Sequence, residues 1–369
     1  MSYAQATIAE ARPPKKTVLV TGASGYIGFA VSRAFTRAGW HVYGLVRRAE
    51  ATDALLAEEI TPVVGAISAD LVFVDELLAR ASTRPFDVVV SCTEQVPFLE
   101  HWEHVLALLV KVARHARQHG ATRPLVLVSS GCKDYGMTGR HGDAGLRPHT
   151  EDSPLRPMDI LKTRTFCTLK AFEHSDLFDA AVLRPTPLFG YGGSYYGVIF
   201  EALRESDGAD GNPVNVPGHL HNIYHGCHVD DCADAYVALA THPVRAEVSG
   251  ECFNISAHRY ETVSDIMTAL SAEYGIRGGI AMMPLAEVKS PELHILEPVL
   301  GYTQWVDSTK IRKLTGWTDR RALFSENLPV YRLAYDAAAR AGDAGVARIR
   351  DRVAGWVASG IRIGKTEAE

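Results

Sequence analysis

Three glycines spaced three apart, Gly22, Gly25 and Gly28, stand directly after the apolar run Thr17 to Thr21 and directly before a helical pattern. Strand, glycine turn and helix in that order make a phosphate cradle. One glycine permits the tight turn, one lets backbone N–H groups reach a pyrophosphate, and one lets the helix pack closely on the strand. The helix then points its positive dipole end at the phosphates. Ser24, Tyr26 and Ile27 fill the same turn and are assigned to the cofactor with the glycines. A second chemical signal lies at Arg47 and Arg48, which end the next apolar run, His41 to Val46. In a dinucleotide fold this position meets the adenosine ribose. An acid there would bond the 2′-hydroxyl, whereas an arginine would accept a 2′-phosphate, so NADP is expected in preference to NAD; capping of a solvent-facing strand end is the alternative use of the pair. A third signal is Ser130 to Tyr135, following the apolar run Pro124 to Val128. Open α/β sheets place ligands at the C-terminal ends of their strands, which makes Lys133 a candidate cation and Ser130 and Tyr135 candidates for proton transfer or oxyanion binding. A solvated loop lysine is the other reading of Lys133. The segment His219 to Cys232 crowds four histidines and two cysteines, but its spacing fits no zinc template and no metal is expected.

The elements that must carry these residues are legible from periodicity. Ile27, Val31, Ala34, Phe35 and Ala38 recur at helical spacing, and Gly39 closes that helix. A strand over Thr61 to Ile67 leads to Asp70 and Leu71, and a helix carrying Leu77 and Leu78 follows. A strand over Phe86 to Val90 ends in Ser91, Cys92 and Thr93. Pro97 to His119 forms a long amphipathic helix whose face Val105, Leu108, Leu109, Val112 and Ala116 is core or, in a homodimer, subunit interface. After the strand at Pro124 come a loop, Met137 to Pro157, a helix, Met158 to His174, and a strand, Asp179 to Leu183. Strands alternating with helices imply a parallel sheet covered on both faces. Tyr191, Tyr195 and Tyr196 follow the last of these strands and face either a substrate or the packing beneath a lobe.

Composition narrows the partners. The 369 residues suffice for a large α/β core. A formal net charge of −5 without basic blocks excludes a nucleic-acid binder as the first reading and leaves small molecules. No apolar stretch reaches the roughly 20 residues of a membrane span, and the first residues lack a secretory apolar region, so a cytoplasmic location is expected. The six cysteines are scattered as reduced thiols would be. Residues 1–15 read as a tail.

The motifs together resemble the extended short-chain dehydrogenase/reductases, also called the NAD-dependent epimerase/dehydratase family. TGASGYIG matches that family's cofactor turn, Asp70-Leu71 its adenine-contacting position, and Ser129-Ser130 with Tyr135-Gly136 the end of its fifth strand. Pro185 belongs to a segment, RPTPLFG, similar to its Arg-Pro motif. His228-Val229-Asp230-Asp231-Cys232-Ala233 and Phe253-Asn254-Ile255 continue the likeness, which reaches Leu314-Thr315-Gly316-Trp317. The resemblance implies a doubly wound Rossmann fold (16–189 and 223–256) with a smaller C-terminal substrate-binding lobe (190–222 and 257–369). It also implies that Ser91, Cys92, Thr93 and Pro185 touch the cofactor. The family's chemistry uses a tyrosine four residues before a lysine. Here the interval from Arg184 gives Lys162 for the lysine and Met158 for the tyrosine, while a shift of two gives Ile160 and Arg164. The helix holds no tyrosine, and Gly131 takes the usual Ser or Thr place. Gly131 to Tyr135 is locally similar to the Thr-Gly-x-Lys-His-Tyr segment of progesterone 5β-reductase and iridoid synthase, which reduce conjugated enones; Phe166 and Cys167 stand near those enzymes' tyrosine. An arginine that binds diphosphate in nucleotide-sugar members is replaced by Tyr224. The expected function is therefore NADP-dependent reduction of a carbonyl or enone of a small non-sugar metabolite, with Lys162 or Lys133 as cationic helper. The alternatives are an NAD-dependent epimerase or dehydratase and a cofactor-binding protein without hydride chemistry.

Overall fold

The computed structural model describes residues 15–80, 84–204 and 211–359. The expected tail lies almost wholly outside these residues. Seven strands form one parallel sheet: β1 (Thr17–Thr21), β2 (His41–Val46), β3 (Thr61–Val64), β4 (Val88–Ser91), β5 (Leu125–Ser129), β6 (Asp179–Pro185) and, from further along the chain, Glu251–Ile255. Numbering in chain order makes the last strand β11, because four two- to four-residue strands intervene: β7 (Leu188–Phe189), β8 (Val214–Pro217), β9 (Ile223–Tyr224) and β10 (Cys227–His228). The sheet order is β11-β6-β5-β4-β1-β2-β3, so the order reverses between β1 and β4 and a crevice opens there.

The strands are apolar on both sides because both faces are covered. Val18 and Val20 enter one core cluster and Leu19 the other; Val88 and Val90 part from Val89 in the same way. Helices α1 (Tyr26–Arg37), α2 (Thr52–Leu56), α3 (Val72–Arg80), α4 (Phe98–Gln118), α5 (Asp159–Leu169) and, after α6 (Tyr196–Arg204), α7 (Val229–Thr241) supply most of the cover. The leucine face of α4 is buried core in the monomer, with Val105, Leu108, Leu109 and Val112 each nearly inaccessible.

A third apolar cluster sits apart from the sheet and forms the lobe. β12 (Glu261–Thr262) pairs with β9 at its border, and the cluster joins α6, β8 and β9 to the later elements α8 (Val263–Tyr274), β13 (Ile280–Met283), α9 (Glu297–Leu300), α11 (Leu328–Arg340) and α12 (Ala344–Ala358). Between α9 and α11, α10 (Thr309–Thr315) returns to the sheet. Ile311 and Trp317 pack in the sheet's cluster, and the Trp317 indole donates to the Asp231 carbonyl at 3.0 Å.

Several boundaries differ from the sequence expectation for identifiable reasons. The third strand stops at Val64, three residues early. Gly65 still donates its N–H to the Val46 carbonyl at 2.9 Å but ends the ladder, and a Cβ on it would stand 2.3 Å from the Phe73 ring. The expected helix to His174 is α-helical only to Leu169 and ends as a 3₁₀ turn, Lys170–His174. No helix of the described residues is long and apolar enough to cross a membrane.

Candidate functional site

The crevice at the reversal of strand order is a groove of about 290 Å³. The glycine turn forms its floor: Gly22, Ser24, Gly25, Tyr26 and Ile27 all line it. Gly22 has φ +66°, and a Cβ there would stand 2.9 Å from the Cys92 carbonyl oxygen, so both conformation and space require glycine. The Gly25 N–H donates to the Gly22 carbonyl at 2.8 Å, closing the turn onto the first residue of α1. Gly28 does not line the groove. A Cβ on it would lie 2.2 Å from the Gly22 oxygen, which is the close helix-to-strand packing expected of the third glycine.

The remaining walls come from strand ends. Leu45, Val46 and Arg47 close β2's side, and Cys92 and Thr93 close β4's side together with Glu94 and Gln95. His101, on α4, holds the Thr93 hydroxyl at 3.0 Å. Burial pushes the Cys92 thiol up to about 12, so it serves as wall and not as a thiolate. Not every residue assigned to the cofactor lines this groove. Arg48 does not line the groove and caps the 3₁₀ turn Ala49–Ala51, so of the pair only Arg47 lines it. Asp70 and Leu71 do not reach the groove: Asp70 is exposed and accepts from Ser68 at 3.2 Å, and Leu71 is buried in the core at φ +42°. Because β3 ends at Val64, the residues beside it, Gly65 and Ile67, take that wall. Ser91 is buried within the ladder, one residue short of the surface.

A second pocket of about 180 Å³ adjoins the groove at Tyr26 and Ile27 and lies against the ends of β5 and β6. Ser130, Gly131, Cys132, Lys133, Arg164, Pro185, Thr186 and Tyr195 are among its lining. Pro185, assigned to the cofactor, lines this pocket and not the groove. Beneath it Asp134 is fully buried and gathers four donors: Ser130 Oγ at 2.6 Å, Thr165 Oγ1 at 2.8 Å, Arg164 Nη2 at 3.0 Å and Arg184 Nε at 3.3 Å. A carboxylate with two guanidiniums and two hydroxyls is a satisfied buried network, and it fixes the loop after β5 in place.

That network decides which candidates face the pocket. The Ser130 hydroxyl is committed to Asp134. Tyr135 is buried beside Arg184: its hydroxyl donates to Asn254 Oδ1 at 2.8 Å and accepts from Arg184 Nη1 at 2.8 Å. It does not line the pocket, and burial pushes its phenol well up. Lys162 also fails to line it. Its side chain is 58% exposed, with Nζ 2.5 Å from Asp159 on the outer face of α5. Two residues along a helix is about 200°, so the register that sends Lys162 outward sends Arg164 inward. Arg164 Nε is buried without a hydrogen-bond partner among the described residues.

Lys133 does reach the pocket. Its ammonium lies 4.6 Å from the centre of the Tyr302 ring, a residue of the lobe, and no carboxylate pairs with it among the described residues. Desolvation lowers its pKa to about 8. Tyr195 faces the same space, stacked on Trp356 at 5.4 Å and accepting from Arg352 Nη1 at 3.2 Å. Burial raises its phenol. Tyr196 is core, and Tyr191 donates to Asp230 Oδ2 at 2.7 Å outside this pocket.

The histidine-rich segment is structural. His228 caps α7 by accepting the Asp230 N–H at 3.1 Å, and His225 bridges the Ala257 carbonyl and the Val306 N–H. Among the described residues no three His, Cys, Asp or Glu converge as a metal set. All six cysteines are unpaired.

Sequence reasoning missed Glu94, Gln95, Gly193, Arg348, Ile349 and Arg352 in the groove. The first two directly follow the assigned Ser91 to Thr93 and were within reach of the same motif. The C-terminal residues carry no local signal, since only folding brings them to the turn.

Comparison with known proteins agrees with this architecture. Similar structures include UDP-glucuronic acid 4-epimerase from Bacillus cereus in complex with NAD, 16% identical with a TM-score of 0.63, covering 87% of this chain and 99% of that one. The dTDP-glucose 4,6-dehydratase from Bacillus anthracis in complex with NAD is 16% identical, with a TM-score of 0.63 over 87% of this chain and 97% of that one. UDP-glucose 4-epimerase from Thermotoga maritima with UDP-glucose is 18% identical, with a TM-score of 0.61 over 87% and 99%. No curated protein matches the sequence. Residues 18–256, which run from β1 through β11 and hold both the glycine turn and the pocket loop, match the profile of one family. With the parallel sheet and its glycine-floored crevice, that match makes the chain a member of the NAD dependent epimerase/dehydratase family.

Proposed function

We propose that the chain is an NAD-dependent enzyme of the epimerase/dehydratase type, acting on a secondary alcohol or the matching carbonyl of a small metabolite. The groove fits the dinucleotide's pyrophosphate, because its floor is the glycine turn at the N-terminus of α1, whose backbone N–H groups and positive dipole end suit an anion. When bound, the dinucleotide supplies the hydride acceptor and donor. The protein's part is to hold the substrate oxygen and move its proton.

Lys133 carries this reading. An amine with a pKa near 8, on a residue that lines the pocket and without a carboxylate partner among the described residues, can take a proton from an alcohol and return it to a carbonyl oxygen. Arg164, which lines the pocket and whose Nε has no hydrogen-bond partner among the described residues, is the second donor at that oxygen or at a ribose hydroxyl. Lys133→Met is expected to lower turnover about a hundredfold while cofactor affinity stays within about threefold. Full activity of that variant would remove Lys133 from the chemistry.

A second reading, NADP-dependent reduction of a carbonyl or enone on a small non-sugar metabolite, rests on two observations. Arg47 stands at the ribose end of the groove with no acid from β2 beside it. Tyr224 is packed against Tyr196 in the lobe core, at the position where nucleotide-sugar members resembling this chain would place an arginine for the diphosphate. Incubation with nucleotide sugars, simple secondary alcohols and enones separates the readings. Epimerised or dehydrated product without net NADH supports the first, and stoichiometric NADPH consumption supports the second. Tight cofactor binding with turnover of none of these would overturn both and leave a cofactor-binding protein without hydride chemistry.

A further inference from the structure

Two arginines from the far end of the chain enter the dinucleotide groove. Arg348 and Arg352 lie one helical turn apart on α12, hence on the same face, and both line the groove that the glycine turn floors. Arg348 also borders the adjoining cavity with Ser24, Gly25 and Tyr26, which places it over the turn itself. Both side chains belong to exposed residues, and Arg348 has no carboxylate partner among the described residues. Arg352 donates to the Tyr195 hydroxyl at 3.2 Å, feels the Glu94 carboxylate across the groove, and forms no ion pair with a carboxylate among the described residues. With Arg47 at the other end, the groove holds three guanidiniums and one carboxylate, Glu94. A wall with that balance selects an anion.

The helix that presents them is anchored. Val346, Ile349 and Val353 are buried in the lobe's core cluster, Asp343 caps the helix by accepting the Gly345 and Val346 N–H groups, and Trp356 stacks on Tyr195. The opposite face of α12 carries Arg350, which pairs with Glu201 outside the groove. The matched family segment ends at residue 256, so this wall is built by chain beyond it.

Resting on the reading that the groove takes a dinucleotide, we propose that Arg348 and Arg352 form a second phosphate clamp, closing on the pyrophosphate from the side opposite the glycine turn. The turn's backbone N–H groups and the α1 dipole hold one side of the diphosphate; the two guanidiniums hold the side that would otherwise face water. The same contact ties the lobe to the sheet, because α12 belongs to the lobe's core.

Calorimetric titration of the full chain with NAD, ADP-ribose and adenosine tests this. Arg348→Ala with Arg352→Ala is expected to weaken NAD and ADP-ribose about tenfold and alike, to leave adenosine unchanged, and to flatten the salt dependence of NAD binding. Replacement of both by lysine is expected to recover part of the loss. Arg350→Ala, the same charge change on the same helix, is expected to leave affinity within twofold. Near-ultraviolet circular dichroism verifies that the variants are folded. NAD affinity within twofold of wild type in the double variant, or an equal loss in Arg350→Ala, overturns the clamp while leaving the cofactor reading intact. Failure of the wild-type chain to bind any dinucleotide overturns the cofactor reading and the clamp with it.

Discussion

The groove and the adjoining pocket share a border at Tyr26 and Ile27 but are made in different ways. The groove's floor is backbone. Its requirements are the absence of Cβ atoms and one positive φ, and a short glycine-spaced motif can state both. The pocket is made of side chains from β5, β6, α5 and the segment after β7, all oriented by one buried carboxylate, Asp134. Its chemistry depends on which way each side chain is sent, and that is settled by contacts between residues far apart in the chain. A backbone site is therefore conserved in shape by few residue types, whereas a side-chain site can exchange its reactive group and keep its frame.

Substitutions that attack the two regions should fail differently. Gly28→Val places carbon where the Gly22 carbonyl already lies 2.2 Å from the Cβ position, and neither backbone can yield. Loss of the fold, or destabilisation by more than about 3 kcal/mol with no NAD binding, is expected from denaturant midpoints and titration. Normal binding would show that the groove floor tolerates a side chain and would erase the contrast. Asp134→Ala leaves the Arg184 guanidinium buried without its carboxylate and should cost about 3 kcal/mol. If Asp134→Ala instead unfolds at the same denaturant concentration as wild type, the pocket is not organised by this residue.

A pH experiment separates frame from chemistry within the pocket. Lys133 has a folded pKa near 8 against an ordinary 10.5, so between those values the unfolded chain holds the proton that the folded chain has lost. Stability must then rise with pH across that window, and Lys133→Met should abolish the rise. The oxidising half-reaction should climb with pH toward a plateau above about 8, as the neutral amine becomes the base. A pH-independent rate in the wild-type chain would assign the proton to another group, with Tyr195 the next to test. The smallest effect belongs to the groove's rim. Arg47→Ala should lower NADP affinity about fivefold and leave NAD unchanged, whereas Arg48→Ala should alter neither, since only Arg47 lines the groove. Equal effects of the two would show that the rim acts through general charge and not through contact.

The sequence by itself determined the sheet, the glycine turn and the family, because each is encoded locally. Runs such as Thr17 to Thr21 and His41 to Val46 are apolar on every residue or nearly so, as strands buried on both faces must be, and their limits are those of the folded strands. Of the residues it singled out, Pro185 closes β6 and Lys133 lies in the 3₁₀ turn after β5, and both line the pocket. It could not choose between the registers of α5, since Lys162 and Arg164 are both cations and only the buried Asp134 draws one of them inward. Nor could it turn Tyr135 into a structural residue without knowing that Arg184 and Asn254 lie on either side of its hydroxyl. Asp70 stays outside the groove, exposed and bonded to Ser68, while Gly65 and Ile67 after the third strand line it. Tertiary structure alone decided that Arg348 and Arg352 would stand beside Gly25, more than three hundred residues away in the chain. Local patterns record what a segment buries; the identity of what it is buried against is written elsewhere in the chain and becomes visible only when the two are packed together.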